Sequence, residues 1–503
     1  MIEDKNSYFS GRKIVLGLVL VLIFGIGLAV RLFDLTDLPL DFHPTRQIHS
    51  ALIARGMYYQ SLENIPSWQR EMAVRQWKLE GVIEPTLMEW LASQSYRIVG
   101  EVVLWMPRLY SIFFWLAGGV GLFLLARSFA GVDAALAVLA FFLVLPYGVF
   151  ASRSFQPDPL MTALIIWAFW SVDRWQKAPS WRRAILTGAL GGLAILIKAV
   201  AIFFIGGAFC AVVISVLGWK QVLKNKQVWL IAFLVFIPYG IYHVYGMYVA
   251  GFLQGQLSLR FFPEMWRSLS FYLSWSRKIN QVVGIPWFVL ALMGTLVLPG
   301  KSARAILLGA WAGYFLFGMV LAHHTVTHDY YHLLLIPLVA LGLSGGAGIL
   351  FEQISGKERI IKWVTLGVLL FGIGYYTWDA RTTLKKTDYR PETAYWQEIG
   401  DRLGHNSNVI ALSQDYATRL SYWGWVTAAN WPTMDDMNFL GFPRDDASIT
   451  AYFEQNAAGR DYFLVTLPDE LEKQQVLEKI LASYKTIYEK DSTVIYDLRQ
   501  PVN

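Results

Sequence analysis

Eleven runs of near-continuous apolar residues occupy the first 380 positions, near 13–32, 104–126, 131–150, 159–179, 184–197, 199–218, 228–250, 281–299, 304–322, 332–350 and 361–379. About 20 such residues suffice for a helix to cross a bilayer. The pattern therefore predicts an α-helical integral membrane protein with about eleven transmembrane helices. The first run is longer than the apolar core of a signal peptide and lacks a small-residue cleavage site, so it is read as a helix. Lys198 interrupts the stretch 184–218, which is accordingly divided into two short helices.

Three stretches stand apart from the runs. Residues 33–103 are too long for a simple connection, and Ile48, Leu52, Tyr59 and Leu62 recur within them at near-helical spacing. That spacing predicts an amphipathic helix lying along the membrane interface. Residues 251–280 form a second connection rich in Phe, Tyr and Trp. From about residue 380 the polar residues return. Strand-like segments at 408–412 and 462–467, a helical pattern over LEKQQVLEKILASY, and a final TVIYDL predict a small α/β domain. The expected organisation is thus a transmembrane domain over 1–380, containing the large loop 33–103, and a polar domain over 381–503. No phosphate-cradling glycine motif is present in the latter.

Charge sets the orientation. Lys and Arg concentrate in alternate connections: Arg127; Arg174, Lys177, Arg182 and Arg183; Lys220, Lys224 and Lys226; Lys301 and Arg304; Lys357, Arg359 and Lys362. By the positive-inside tendency these connections and the N-terminus are cytoplasmic. The long loop and the C-terminal domain then lie on the outer side of an inner or plasma membrane. Composition agrees: 55% of residues are hydrophobic and only 16% charged, too few to cover a soluble protein of 503 residues. The net charge of +6 is scattered over short loops, which argues against nucleic acid as a partner. A single cysteine, Cys210, excludes an internal disulfide and reads as a small packing residue.

Ionisable residues gather at the outer ends of the predicted helices. Asp41, His43 and Arg46 fall within DFHPTRQ after the first run. Arg153 and Asp158 lie in SRSFQPDPL, where Pro157 and Pro159 stiffen a turn and a carboxylate suits the helix N-terminus. Lys198 ends the fifth run, and HHTVTHDYYH adds His328 and Tyr331. A carboxylate can serve as general base toward a hydroxyl or amine, and cations can hold a departing phosphate. Singly, each has a plainer reading: Asp158 as a helix cap, Arg153 and Lys198 as interfacial snorkellers, the histidines as hydrogen-bonding structure. The histidine spacing matches no standard metal-ligand pattern. Their co-location carries the functional reading.

In order along residues 10–350, these motifs resemble the polytopic family C glycosyltransferases that use lipid-phosphate sugars. The branch in question holds the dolichyl-phosphate-mannose-protein mannosyltransferases and bacterial lipid A aminoarabinose transferases. Asp41 takes the place of the acidic residue after the first span. EPTLMEWLASQSYRIVG (84–100) matches a Pro-led stretch, and Arg108 in PRLYS opens the second span. Arg153, Pro157 and Asp158 match a second acidic turn, GGLAILIK ends on Lys198, Pro286–Trp287 begins a later helix, and HDYYHLLLIP spans 328–337. The resemblance implies transfer of a sugar from a polyprenyl-phosphate donor to a lipid, glycan or protein acceptor on the outer face. Asp41 and Asp158 would be catalytic, with His43, Arg46, Glu84, Arg153, Lys198, His328 and Tyr331 binding substrate. No cofactor is implied with certainty, and a divalent metal ion is the one candidate. Two departures stand out: Phe42 follows Asp41 where the family has a second acid, and Glu84 stands where it often has a basic residue. The rival reading is a transporter or flippase for a lipid-linked sugar, which would favour midplane charges and an internal repeat.

Overall fold

Every one of the eleven apolar runs is met by helix in the computed structural model, which describes residues 13–254, 261–355, 357–443 and 445–502. Among the described residues seven helices are long and apolar enough to cross a membrane, or up to nine if two sharply bent pairs each count as one span. Two further stretches, Asp158–Lys177 and Trp181–Ile197, fall short of a simple apolar span. The former carries charge at both ends, and the latter has only 17 residues.

The chain divides into two compact units. The first gathers Met1–Thr36, Gly81–Met88 and Trp105–Thr387; the second gathers Asp37–Glu80, Glu89–Leu104 and Asp388–Asn503. Most of the loop 33–103, assigned from sequence to the transmembrane domain, thus groups with the C-terminal residues.

In the first unit, small residues let helices approach until their backbones touch. A Cβ placed on Gly207 would stand 2.2 Å from the carbonyl oxygen of Gly309, which leaves no room for a side chain there. The run 131–150 is not straight. It splits into Val132–Val144 and Pro146–Ser152 with a bend of 62°, because Pro146 has no N–H for the helix ladder. Buried Arg31 meets this break, donating 2.7 Å hydrogen bonds to the carbonyls of Gly27 and Leu143 and a 2.6 Å bond to Ser152 Oγ. The run read at 281–299 is likewise two elements. An amphipathic helix Leu269–Val282 buries Phe271, Trp275 and Ile279, then turns 90° into Ile285–Val297. Gly284, with φ of 82°, makes that turn. The predicted break at Lys198 is present: one helix ends at Ile197 and the next begins at Ala201.

The second unit is built on a five-stranded sheet of order β2–β1–β3–β5–β4, with β1 Val409–Leu412, β2 Ala428–Asn430, β3 Tyr462–Val465, β4 Tyr484–Lys490 and β5 Thr493–Pro501. β1 pairs in parallel with β2 and β3, whereas β5 runs antiparallel to β3 and β4. The helical pattern predicted over 471–484 is realised only as far as Leu481, since Tyr484 already opens β4. That edge strand is largely exposed and carries Lys485, Glu489 and Lys490, charges that discourage further strand pairing.

The predicted amphipathic helix is Pro44–Tyr59, and it is packed within the second unit over most of its surface. Gln47, Ile48, Ala51, Leu52, Ile53, Ala54, Arg55 and Tyr58 are all buried. Gly56 lets Trp77 and Ala73 of the following helix come within contact of its Cα. Arg55 sits under the rings of Tyr422 and Trp425, 4.3 and 4.0 Å from their centroids, and bonds Gln76 Oε1 at 2.6 Å. Burial pulls its pKa down to about 10, so it stays charged at neutral pH. Side-chain partners from residues 388–503, invisible to local periodicity, convert a surface helix into a core one.

Candidate functional site

In the first unit the turn Arg153–Pro157 delivers Asp158 to the first position of its helix, with Pro159 following. Lys198 leaves the preceding helix geometry at the other side, with extended φ and ψ of −155° and 118°. A carboxylate at a helix N-terminus and an ammonium at a helix C-terminus both suit the helix dipoles. The two meet: Lys198 Nζ donates to Asp158 Oδ1 at 2.9 Å and Oδ2 at 3.0 Å, with Asp158 only 3% and Lys198 6% exposed. Tyr330 and Tyr331 cover the ammonium, their ring centroids 5.3 and 5.6 Å from Nζ.

The loop bearing those tyrosines is held from several directions. Gln281 Nε2 donates to Asp329 Oδ2 at 2.6 Å, and the Tyr147 hydroxyl lies within electrostatic range of both Asp329 and Asp158. Tyr331 stacks on Phe317 at 5.9 Å and packs against His324. His328 bonds Thr327 Oγ1 at 2.7 Å and meets the edge of Tyr330. His332 is fully buried within a chain of hydrogen bonds. Trp275 Nε1 can only donate, so the Tyr314 oxygen accepts at 2.8 Å. Tyr314 Oη and His332 Nδ1 share a hydrogen bond of 2.8 Å, and His332 Nε2 donates to the Thr325 carbonyl at 2.7 Å. Held at both ring nitrogens, the imidazole works as a strut.

Arg153 is also buried, but its terminal nitrogens donate to the carbonyls of Phe33 and Asp34 at 2.6 and 2.9 Å. What it holds is the end of the first helix. Arg108 does parallel work, reaching the carbonyls of Leu35 and Arg153 at 3.2 and 3.1 Å. Glu84 is half-buried, and its charge reaches the Tyr242 hydroxyl. That hydroxyl and His243 Nδ1 are shielded from solvent with no hydrogen-bond partner among the described residues.

Asp41, His43 and Arg46 belong to the second unit. Asp41 is partly exposed and accepts a hydrogen bond of 3.4 Å from Gln47 Nε2, whose second contact is the Phe42 carbonyl at 2.7 Å. His43 is left-handed, φ 46° and ψ 68°, and ends the loop where Pro44 opens the next helix. Arg46 lies in the first turn of that helix, partly exposed.

The structure thus brings Asp158, Lys198, Tyr331 and His328 into one neighbourhood, and adds Tyr330, Asp329, Gln281 and Tyr147. Of the additions, sequence reasoning missed Gln281 and Tyr147. Asp329 and Tyr330 belong to the HHTVTHDYYH cluster legible in the sequence, whereas Gln281 and Tyr147 carry no local signal. Among the described residues no group of three or more His, Cys, Asp or Glu is placed to hold a metal ion.

Long apolar helices, two sharply bent helix pairs and an α/β domain joined to them in sequence describe a multi-pass membrane protein, and the comparisons say which known proteins share its fold. A family model for the dolichyl-phosphate-mannose-protein mannosyltransferases matches residues 84–242, the segment that holds Glu84, Arg153, Asp158 and Lys198. Among solved structures, ArnT from Cupriavidus metallidurans bound to undecaprenyl phosphate superposes with a TM-score of 0.61 at 14% identity, covering 95% of this chain and 98% of that one. Its apo state gives 0.58 at 15% identity, covering 97% and 98%. The archaeal oligosaccharyltransferase AglB from Archaeoglobus fulgidus, in complex with an inhibitory peptide and a dolichol-phosphate, gives 0.53 at 12% identity, covering 94% of this chain and 73% of that one. No curated protein sequence matches the chain.

Proposed function

We propose that the protein is a membrane glycosyltransferase that moves a sugar from a polyprenyl-phosphate donor to a lipid, glycan or protein acceptor on the outer face of the membrane. The observation that carries the reading is the buried Lys198–Asp158 pair beneath Tyr330 and Tyr331. An ammonium has three donors, and Asp158 takes two of them. The third is directed to a phosphate oxygen of the donor. Asp158 keeps the charge of the unloaded site balanced and the ammonium in place.

Transfer then proceeds by one displacement. An acceptor hydroxyl or amine attacks the anomeric carbon, Asp41 accepts the proton released by that nucleophile, and the sugar–oxygen bond to phosphate breaks. The electron pair leaves with polyprenyl phosphate, whose growing negative charge Lys198 stabilises. A single displacement inverts the anomeric configuration. Glu84, Tyr242 and His243 are assigned to the sugar, because a carboxylate and two unpartnered buried polar atoms suit its hydroxyl or amino groups. Arg46, His43 and His328 are assigned to substrate contact, and Arg153 to holding the turn before Asp158.

The test is a structure with undecaprenyl phosphate bound. The phosphate is expected within hydrogen-bond reach of Lys198 Nζ; a phosphate bound away from Lys198 would overturn the assignment. The alternative, a flippase, requires intact donor to cross the bilayer with no release of polyprenyl phosphate.

A further inference from the structure

The loop that carries Asp41 is tied to C-terminal residues on both sides of the carboxylate, four residues away in each direction. On the N-terminal side, buried Asp37 accepts the backbone N–H of Tyr389 at 3.1 Å and that of Leu38 at 2.8 Å. On the C-terminal side, Thr45 Oγ1 donates to Asp415 Oδ1 at 2.9 Å. Between these ties the chain is short and bent: Leu40 N–H reaches the Leu38 carbonyl at 2.7 Å, and His43 is left-handed.

Asp415 is itself held with unusual firmness. Arg419 Nε donates to its second oxygen at 2.6 Å, Arg419 Nη1 reaches Glu392 at 3.1 Å, and Trp396 Nε1 donates to Glu392 at 2.7 Å. The backbone around it is strained. Asp415, Tyr416 and Ala417 are three consecutive non-glycine residues in the left-handed region, with φ of 50°, 55° and 59°. Each such residue costs about 1–2 kcal/mol, and glycine would avoid the cost. The strained turn follows β1, and β1 lies between β2 and β3. This is the point in an α/β sheet where chain direction switches sides and functional loops collect. A turn serving only as a connection has no reason to keep three side chains in that conformation.

We infer that Asp415 and Asp37 are positioning residues for Asp41, and that the C-terminal domain is the part of the protein that sets the general base in place. The inference rests on the reading of Asp41 given above. Thr45 and Asp37 are the two handles, and the Arg419–Glu392–Trp396 chain fixes the Asp415 end. Misplacing a reacting group by about 1 Å can cost about 100-fold in rate. Loosening one handle therefore lowers turnover while leaving donor binding, which is assigned to residues of the other unit, nearly unchanged.

The experiment uses the full-length protein in lipid nanodiscs with a polyprenyl-phosphate sugar donor. Thr45→Val removes only the hydroxyl donor, Thr45→Ser keeps it, and Asp37→Asn weakens the other handle. Turnover per folded protein, with folding followed by thermal melting, is expected to fall about 10–100-fold in Thr45→Val and Asp37→Asn. KM for the donor is expected to stay within about twofold, and Thr45→Ser to recover most of the rate. Wild-type turnover in Thr45→Val, or an equal loss in Thr45→Ser, would overturn the inference. Asp41→Asn separates the two levels. If it is inactive while Thr45→Val is fully active, only the positioning role fails. If Asp41→Asn is itself active, the reading beneath it fails.

Discussion

Asp158 and Asp41 are the same side chain in opposite surroundings. Asp158 is closed off from solvent, and both its oxygens are committed to one ammonium. Asp41 is partly exposed on a short bent loop, with a 3.4 Å amide contact from Gln47. The place of Asp158 is fixed by the ammonium it pairs with. The contrast assigns the two carboxylates different work: one balances charge where phosphate arrives, and the other takes the proton.

The sharpest way to break this comparison is Asp41→Asn, which is expected to cost about 10²–10⁴-fold in turnover with expression and melting intact. Next comes Lys198→Met. It leaves Asp158 buried and unpaired, and is expected to cost about 3–5 kcal/mol of stability together with the transfer activity. The double variant Asp158→Asn with Lys198→Met removes both charges, and it should recover the stability but not the activity. Recovery of activity in the double variant would remove Lys198 from the account of the leaving group. Smaller again is Tyr242→Phe, expected to raise donor KM by about 5–10-fold, in line with one lost hydrogen bond of about 1 kcal/mol. An unchanged KM would detach Tyr242 from the sugar.

The smallest effect is set by pH in the C-terminal domain. Arg499 donates to Asp497 through Nε at 2.8 Å and Nη2 at 3.0 Å, and holds that carboxyl below the usual carboxylate range. A lowered folded pKa means the ionised form favours the folded state. The stabilisation is present above the ordinary aspartate value of about 3.9 and is lost as pH falls through the lower folded value. The thermal midpoint of the full protein should therefore drop on acidification below about pH 4, and Asp497→Asn should blunt that drop. An equal drop in the variant would exclude Asp497 as a contributor.

How much of this was legible in the sequence follows the range of the interactions. Runs of apolar residues gave the helix positions, and Lys198 marked a helix break, because a charge inside such a run is a local event. Pro146 was a local signal too, but a span of the right length concealed the bend it causes. Gly284 hid the turn between the amphipathic helix 269–282 and its neighbour in the same way. Asp158 and Lys198 were both named from sequence as helix-end charges, yet their pairing across 40 positions was not. The partners of Arg153, Gln281 and His332 are carbonyls, carboxylates and hydroxyls brought in from elsewhere in the chain. Residue type predicts that a buried arginine or histidine needs such partners, but only the packed fold says which. Short β2 and exposed β4 were missed because neither has enough buried positions to imprint an alternating pattern.

The most direct test of the central claim follows the bond that should break. Purified protein is given an acceptor-containing membrane extract and a polyprenyl-phosphate donor isotopically labelled in the sugar. Free polyprenyl phosphate and labelled acceptor are then counted by mass spectrometry. The account predicts equal amounts of both from the wild type and neither from Asp41→Asn. Equal release by Asp41→Asn, or donor that crosses a bilayer intact with no polyprenyl phosphate freed, would contradict it.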